Sequence, residues 1–292
     1  DRAGSRVPSN MAAFRDRRQP NEPVPPPAPI PPGRSLAQQR HDQIVEQVRA
    51  RGSMRVTELA ALLDVSDMTI RRDLDVLDEA GLLVKVHGGA KVSTEHSADE
   101  PGFDANSALQ TAEKEAIAHA AADLVEGGAT IGLMAGTTTW RLAGALAGIP
   151  NLTVVTNSMR VAEVFDEFKR PDRNIILTGG VRTPSDALVG PIAATALSAL
   201  HVDTLFIGVH GMSEQAGFTT PNILESDTNR AFIRSAGRKI VLADHSKWGV
   251  TGLSSFASLD DVDMLITDRL LSTAAADTLR SHIPDVRQVG SV

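Results

Sequence analysis

Residues 66–77 have the sequence SDMTIRRDLDVL, in which the apolar residues have the spacing of an amphipathic helix. Ile70, Leu74 and Leu77 recur at intervals of four and three, so they share one helical face that we expect to be buried. Ser66 is a favourable N-cap residue for this helix. The outer face of its first two turns then carries Asp67, Met68, Thr69, Arg71 and Arg72.

Two further helices and a hairpin are predicted around this segment. Apolar residues within 36–48 and 59–63 have helical spacing, and Thr57 is positioned to cap the second of these helices. The segment 82–92 has two short apolar runs on either side of a glycine turn, which predicts a hairpin. Three helices followed by a hairpin are typical of a DNA-binding winged helix-turn-helix. We therefore expect a small α+β domain of this kind over residues 34–92.

The outward arginines of the third helix are the predicted base-reading residues. An arginine pairs with guanine through two hydrogen bonds, worth about 1–3 kcal/mol of discrimination between bases. The alternative is that Arg71 and Arg72 only pair with acidic residues of the same helix. Their position early in the third helix of the unit favours DNA contact. The predicted DNA-binding residues are Arg55, Ser66, Met68, Thr69, Arg71, Arg72, Lys85 and His87, of which Arg55, Lys85 and His87 would hold backbone phosphates.

The net charge of −7 lies mainly outside this predicted domain. Residues 34–94 hold nine basic and nine acidic side chains, whereas residues 95–292 hold fifteen and twenty-four. DNA contact would therefore depend on where the arginines are placed rather than on bulk charge. Residues 1–33 contain the run PVPPPAPIPP and almost no periodic apolar pattern, so we expect a disordered or extended tail.

The composition excludes several classes of protein and site. The absence of cysteine excludes disulfides, thiolate catalysis and cysteine-ligated metal sites. No apolar run reaches the roughly 20 residues that a membrane span needs, and the first residues lack the apolar core of a signal peptide. We expect a cytoplasmic protein with no membrane contact, no metal site and no cofactor.

Beyond a polar linker at residues 93–106, short apolar runs alternate with helical stretches, a pattern typical of α/β domains. We expect residues 107–292 to form an open, mostly parallel sheet flanked by helices. The predicted strands are 129–134, 152–155, 174–177, 204–209, 239–242 and 264–267. The predicted helices are 111–125, 140–146, 158–168, 191–200, 222–236 and 272–281.

The loops that follow parallel strands meet at one edge of a sheet, where ligands bind. The loop after the first strand contains Gly136, Thr137, Thr138 and Thr139 and opens a helix, so its backbone N–H groups and hydroxyls suit a phosphate. One such loop by itself is weak evidence of a site, because glycine and threonine are ordinary turn residues. Several at one edge predict a site for a small hydroxylated anion. The later strand ends contribute Asn157, Gly179, Gly180, His210, Asp244 and Lys247.

Motifs in both predicted domains resemble one known family. VTELA at 56–60, VSDMTIRRDL at 65–74 and VHGGA at 86–90 are similar to the N-terminal signature of the DeoR family of bacterial repressors. Motifs similar to the family's sensor domain are EK at 113–114, GTT at 136–138, VTNS at 155–158, TGG at 178–180, LVGP at 188–191 and ADHSK at 243–247. The resemblance covers nearly everything after residue 35.

The resemblance implies a helix-turn-helix proper at 53–72, operators that control carbohydrate catabolism, and a phosphorylated sugar or similar metabolite as inducer. It also implies a sensor domain similar in fold to ribose-5-phosphate isomerases and CoA transferases. By position, residues 136–139 would hold phosphate, while Asp203, Glu225, Asp244 and Lys247 would face the sugar or support the pocket. Many relatives have an acidic residue where this chain has Met134 and another where it has His210, so the polar end of the pocket is expected to differ.

The favoured hypothesis is a repressor that binds paired operator half-sites as a homo-oligomer, dimeric or larger, and is released by its effector. The alternative is an isomerase-like enzyme with a DNA-binding appendage, since Asp244, Glu225 and Lys247 could supply an acid and a base. A third hypothesis is a protein-interaction module with a vestigial pocket. The chain has no convincing nucleophile elbow, Walker loop or dinucleotide fingerprint, which favours the regulator.

Overall fold

The structure, a computed structural model, describes residues 36–51, 53–79, 82–86, 88–91 and 102–290. The expected tail at residues 1–33 and His87 of the expected wing lie outside these ranges. All described residues belong to one compact unit. Within them, no helix has both the length and the apolar character needed to cross a membrane.

The N-terminal part is a winged helix-turn-helix in which three helices pack against a three-stranded sheet. Strand β3 lies in the middle of the sheet and pairs antiparallel with both β1 and β2. Ile44, Leu59 and Leu74, one from each helix, are fully buried in a common core. The elements are α1 (Leu36–Arg51), β1 (Ser53–Arg55), α2 (Val56–Leu63), α3 (Asp67–Glu79), β2 (Val84–Val86) and β3 (Gly89–Lys91).

Helix α2 begins two residues earlier than the sequence predicted, with Arg55 rather than Thr57 at the N-cap position. Val56 is its first residue and is buried, whereas Thr57, the expected cap, is exposed within the first turn. The Glu58 carboxylate instead accepts a hydrogen bond from the backbone N–H of Arg55 at 2.9 Å. A carboxylate in the first turn therefore satisfies the backbone at the helix start, and the expected hydroxyl cap is wrong.

The C-terminal part is a seven-stranded sheet in which every neighbouring pair is parallel, in the order β15-β14-β12-β9-β4-β5-β6. The open α/β architecture predicted from the alternating pattern is thus confirmed. Its strands are β4 (Thr130–Leu133), β5 (Thr153–Thr156), β6 (Asn174–Leu177), β9 (Val202–Gly208), β12 (Ala236–Leu242), β14 (Met264–Asp268) and β15 (Asp285–Val289). The connecting helices are α5 (Thr111–Ala122), α6 (Thr137–Leu146), α7 (Met159–Glu167), α8 (Pro191–Ser198), α9 (Ile223–Ser235) and α10 (Thr273–His282).

Each face of this sheet is covered by its own hydrophobic core. Phe206 of β9 points into the core that Ile117 of α5 and Leu142 of α6 complete. The next residue, Ile207, points to the other core, where it joins Phe232 of α9. This alternation explains why the strands are nearly continuous apolar runs: both faces of a doubly covered sheet are buried.

The elements that the sequence did not predict are short. Strands of two to four residues give too few positions for an alternating pattern to be recognised, and the five-residue strand β15 has polar or charged side chains at three of its positions. The expected linker at 93–106 also proves to contain the start of a helix. The unpredicted elements are α4 (Phe103–Ser107), the hairpin of β7 (Val181–Arg182) and β8 (Leu188–Val189), strand β15, and an antiparallel sheet of β10 (Gly211–Ser213), β11 (Gly217–Thr220) and β13 (Ser254–Ala257).

Candidate functional site

Helix α3 presents its predicted outer face to solvent. Ile70 is fully buried, whereas Met68 is 60% exposed and both Arg71 and Arg72 are exposed. Ser66 caps the helix by accepting a hydrogen bond from the Thr69 backbone N–H at 3.2 Å, and the two hydroxyl oxygens lie 2.9 Å apart. The capping geometry therefore sets the direction in which the first two turns of α3 project.

A buried ion pair holds α3 against α1. The Asp73 carboxylate accepts hydrogen bonds from Arg40 at 2.6 and 3.0 Å and lies 2.9 Å from Nε2 of His41. Burial raises the pKa of Asp73, but the hydrogen bonds and charges of Arg40 and His41 outweigh it and hold that pKa below its usual value. The Asp73 side chain therefore stabilises the packing of α3 against α1.

The arginines of α3 are not paired with the acidic residues beside them. Asp75 forms an ion pair with Lys85, and Asp78 accepts a hydrogen bond from the Lys85 backbone N–H at 2.9 Å. Among the described residues, no hydrogen bond or ion pair engages Arg71 or Arg72. Their guanidinium groups are therefore available on the exposed face, whereas the Lys85 ammonium is already in contact with α3.

The edge formed by the carboxyl ends of β4, β9 and β12 opens into a cleft. The enclosed part of this cleft has a volume of about 90 Å³ and is open to solvent at its mouth. Six of the predicted effector-site residues line it: Gly136, Thr137, Thr138, His210, Glu225 and Lys247. Sequence reasoning missed further residues that also line it: Phe103, Asn106, Ser185, Thr220 and Asn229.

The N-terminus of α6 faces this cleft. Gly136, just before the helix, has a φ of +151°, which side-chain-bearing residues rarely adopt. The first backbone N–H groups of an α-helix have no acceptor within the helix and attract anions. Thr139 is fully buried, and its hydroxyl donates to the Gly136 carbonyl at 2.9 Å, so its side chain supports the loop rather than lining the cleft.

Three other predicted site residues lie behind the cleft. The Asn157 amide accepts a hydrogen bond from the Ala135 backbone N–H at 2.9 Å and donates to a carbonyl of β8 at 3.3 Å, so it anchors the loop before α6. Gly179 and Gly180 have positive φ values, and a Cβ on Gly180 would lie 2.5 Å from the Val189 carbonyl oxygen. These residues shape the scaffold and do not line the cleft.

Asp203, which the resemblance placed facing the sugar or supporting the pocket, does not line the cleft. Asp203 lies near the amino end of β9, and its carboxylate accepts a hydrogen bond from the Thr130 backbone N–H at the start of β4, 2.9 Å away. The amino ends of parallel strands lie at the edge opposite the cleft. Met134 is buried in a hydrophobic core, so of the two departures from the family only His210 lies in the cleft.

Two lysines flank the buried carboxylate of Asp244 behind the cleft. Burial raises the pKa of Asp244, but the charges of Lys247 and Lys114 outweigh it and lower that pKa. One carboxylate oxygen accepts a hydrogen bond from the Ser246 backbone N–H at 3.1 Å. Asp244 does not line the cleft itself, whereas Lys247 does.

The segment 102–110 connects the cleft with the helix-turn-helix. Phe103 and Asn106 line the cleft, and the Phe103 ring meets Trp140 of α6 edge-on at 5.5 Å. At the other end, Leu109 packs against the core of the helix-turn-helix, and the Gln110 backbone N–H donates to Asp42 of α1 at 3.4 Å. We call residues 102–110 the connecting segment.

Lys114 of α5 holds the connecting segment in place. It is 2% exposed, and its ammonium donates to the carbonyl oxygens of Asn106 at 2.6 Å and Leu109 at 2.8 Å. Burial lowers the pKa of Lys114 to about 8, against the opposing charge of Asp244. A buried lysine thus holds the second half of the connecting segment, residues 106–109, against α5.

His245, next to Asp244, lies at a second cavity, where the sensor part meets α1. Its backbone N–H donates to Asp268 at 2.8 Å, and its Nδ1 lies 3.0 Å from the same carboxylate. Burial lowers the pKa of His245, but the hydrogen bond and charge of Asp268 outweigh it and hold the pKa above its usual value. Neither here nor in any other described part of the chain are three or more acidic or histidine side chains placed to hold a metal ion.

Comparison with known proteins assigns the chain to a family. Residues 40–96 match the DeoR-like helix-turn-helix domain, and residues 109–269 match the DeoR C-terminal sensor domain. The chain is 37% identical over 245 residues to YulB, an HTH-type transcriptional regulator of Bacillus subtilis (strain 168), which covers 84% of this chain and 93% of that protein. It is 33% identical to the glycerol-3-phosphate regulon repressor of Escherichia coli (strain K12), over 84% of this chain and 96% of that protein.

A ribose 5-phosphate isomerase from Methanocaldococcus jannaschii is a distant structural neighbour, with a TM-score of 0.34 and 17% identity over 46% of this chain and 53% of that one. The curated relatives are named as regulators and repressors of transcription rather than as enzymes. Domain matches over more than half of the chain, together with these relatives, show that the protein is a DNA-binding transcriptional regulator, not an isomerase, and that it belongs to the DeoR family.

Proposed function

We propose that this protein represses carbohydrate-catabolism genes from operator DNA and releases them when a phosphorylated sugar or related metabolite binds the cleft. Residues 34–92 would bind DNA and residues 107–292 would sense the metabolite, in the cytoplasm. The observation that carries the proposal is the cleft itself, where the N-terminus of α6 shares a small cavity with Lys247, Glu225 and His210.

The phosphate group is assigned to Gly136, Thr137 and Thr138. The helix N-terminus favours negative charge, and Lys247 in the same cleft adds a cation. The remaining polar side chains of the cleft are hydrogen-bonding partners for hydroxyl groups, as in other small-molecule sites. One relative is a repressor named for glycerol 3-phosphate, a phosphorylated polyol, which supports this class of effector.

DNA contact is assigned to the exposed face of α3, with Arg71 and Arg72 reading bases and Ser66, Met68 and Thr69 beside them. Arg55, at the end of β1, is exposed and is assigned to a phosphate, and Lys85 and His87 of the wing are assigned the same role. A single helix-turn-helix makes few contacts with DNA, so we assign two or more subunits to paired half-sites.

The connecting segment is proposed to carry the effector signal. It contributes Phe103 and Asn106 to the cleft and contacts the helix-turn-helix through Leu109 and Gln110. A ligand that binds one arrangement of this segment better than another changes DNA affinity by the same free-energy difference. The coupling in such systems is usually 5- to 150-fold, roughly 1–3 kcal/mol.

The test begins with genome-wide mapping of the sites that the protein occupies. A recovered operator is then titrated with protein in the presence of D-ribose 5-phosphate, D-glucosamine 6-phosphate or sn-glycerol 3-phosphate. We expect at least one of these compounds to weaken operator binding about tenfold or more. Lys247→Met should abolish the response. Lys169→Met, at an exposed lysine that does not line the cleft, should leave it unchanged. Ligand binding that leaves operator affinity unchanged would disprove the coupling.

A further inference from the structure

Helix α9 directs two polar side chains into the cleft. Glu225 and Asn229 are four residues apart, one helical turn, and both line the cavity. Glu225 accepts a hydrogen bond from the Thr220 hydroxyl at 2.9 Å. The helix start is fixed by Asn222, whose amide oxygen accepts hydrogen bonds from the backbone N–H groups of the first turn at 3.0 and 3.2 Å. The position of Asn229 is therefore well defined.

The Asn229 amide is buried, yet part of its hydrogen-bonding capacity is unused. The side chain is 1% exposed, and no donor among the described residues reaches its Oδ1 atom. Leaving a buried amide oxygen without a partner destabilises the folded protein. Native proteins seldom accept this cost unless the group has another role.

Neighbouring polar residues on the same helix do not share this feature. The Thr228 hydroxyl donates to the Leu224 carbonyl at 2.9 Å and accepts from the Gly190 backbone N–H at 3.0 Å. The Ser226 hydroxyl donates to the Ser255 carbonyl at 3.2 Å. These two side chains serve the packing of α9. Asn229 alone among the three combines burial, an unused acceptor and a place on the wall of the cleft.

Leu242 and Phe256 line the same cavity and have no hydrogen-bond donor, and no described polar side chain of the cleft reaches the Asn229 amide oxygen. The missing donor would therefore come from a bound ligand. A phosphate ester is an acceptor in its charged form, so it does not suit an amide oxygen. A hydroxyl group both donates and accepts, and therefore suits a buried amide oxygen.

We propose that Asn229 is a specificity-determining residue that accepts a hydrogen bond from a hydroxyl group of the effector, so that the cleft selects phosphorylated polyols and sugars over phosphate esters without hydroxyls. This inference rests on the proposed effector site. Sites that hydrogen-bond a hydroxyl discriminate strongly against analogues that lack it, because the buried partner is then left unpaired.

The experiment compares matched ligands on the full-length protein by calorimetric titration. The ligand pairs are sn-glycerol 3-phosphate with n-propyl phosphate and D-ribitol 5-phosphate with n-pentyl phosphate. In the wild-type protein we expect the hydroxylated member of at least one pair to bind about tenfold more tightly. Asn229→Leu, which keeps the volume and removes the amide, should erase most of this preference while changing the affinity for the alkyl phosphate less than twofold.

Two further variants complete the design. Asn174→Leu makes the same substitution at an exposed position outside the cleft and should keep the wild-type preference. Asn229→Ala removes the amide without added bulk and replaces the leucine variant if that protein does not fold. An unchanged preference in a folded Asn229 variant, or an equal loss for both members of a pair, would overturn the role of Asn229 and leave the effector site standing. Failure of every ester to bind the wild-type protein would overturn both.

Discussion

Asp73 shows how one side chain sets the geometry of the DNA-binding unit. Its carboxylate is buried between α1 and α3 and is shared by Arg40 and His41. Asp73→Asn leaves the Arg40 guanidinium without its anion, so we expect the free energy of unfolding to fall by about 2 kcal/mol in urea titrations. Because the pKa of Asp73 is lowered, its contribution is present above pH 4 or so and is lost as the pH falls.

The control for Asp73 is the exposed pair of Asp166 and Lys169 on α7 and just after it. Solvent screens such pairs, and Asp166→Asn should change stability by less than about 0.5 kcal/mol. Equal effects of the two asparagine substitutions would mean that the ion pair between α1 and α3 contributes no more than a surface contact.

Arg71 and Arg72 have exposed guanidinium groups without partners among the described residues, and this makes their role measurable. Arg71→Ala or Arg72→Ala should weaken operator binding by about 1–3 kcal/mol and weaken binding to random DNA much less, because a base contact acts only at the correct sequence. Arg234→Ala, at an exposed arginine of α9, is the matched control. Equal losses on both kinds of DNA would reassign these arginines to phosphates.

Among the elements, the connecting segment contacts both the cleft and the helix-turn-helix. Lys114→Met keeps most of the side-chain volume but removes both hydrogen bonds to the segment. We expect effector affinity to change less than about threefold, while the effect of the effector on operator affinity is largely lost, because the part of the segment that links the cleft to the helix-turn-helix is no longer held against α5. Gel-shift titrations with and without effector measure this, and Lys169→Met should leave the response intact.

The lowered pKa of Lys114 makes the stability of the folded protein depend on pH in a predictable direction. In the folded chain the pKa of Lys114 is about 8, and its ordinary value is 10.5. Between these values the unfolded chain still binds a proton that the folded chain has released, so the stability due to Lys114 rises with pH. The stability of the wild-type protein relative to Lys114→Met should therefore increase from pH 8 to pH 10 in denaturant titrations. A constant difference would contradict the lowered pKa.

At the scale of the whole molecule, the charge balance bears on how DNA is bound. Residues 34–94 carry equal numbers of basic and acidic side chains, so a single copy has little general attraction for DNA. We expect protection of two related half-sites separated by about one helical turn, or a multiple of it, in hydroxyl-radical footprints. Sedimentation should show a dimer or larger assembly. A footprint of one half-site bound by a monomer would contradict the proposed pairing.

Much of the architecture could be predicted because it follows from the local spacing of apolar residues. The buried face of α3 follows from Ile70, Leu74 and Leu77, and β6 has the predicted bounds of 174–177. The small and hydroxylated residues after β4 were recognisable as the start of a helix, although α6 begins at Thr137 rather than at residue 140 as predicted. These features depend on neighbours in sequence, whose side-chain periodicity reports which face is buried.

The rest depends on residues that are distant in sequence, and only the tertiary structure decided it. Asp203 was placed at the pocket by the resemblance. It lies near the amino end of β9 and therefore at the edge opposite the cleft. Phe103 in an expected linker and Asn229 on a helix enter the cleft because chain crossovers bring α4 and α9 to the same edge. The sequence by itself determined the longer elements, since periodicity is local, and the family, through short motifs within those elements. Which side chains share a cavity, and which buried groups lack a partner, was decided by long-range packing, which no local pattern encodes.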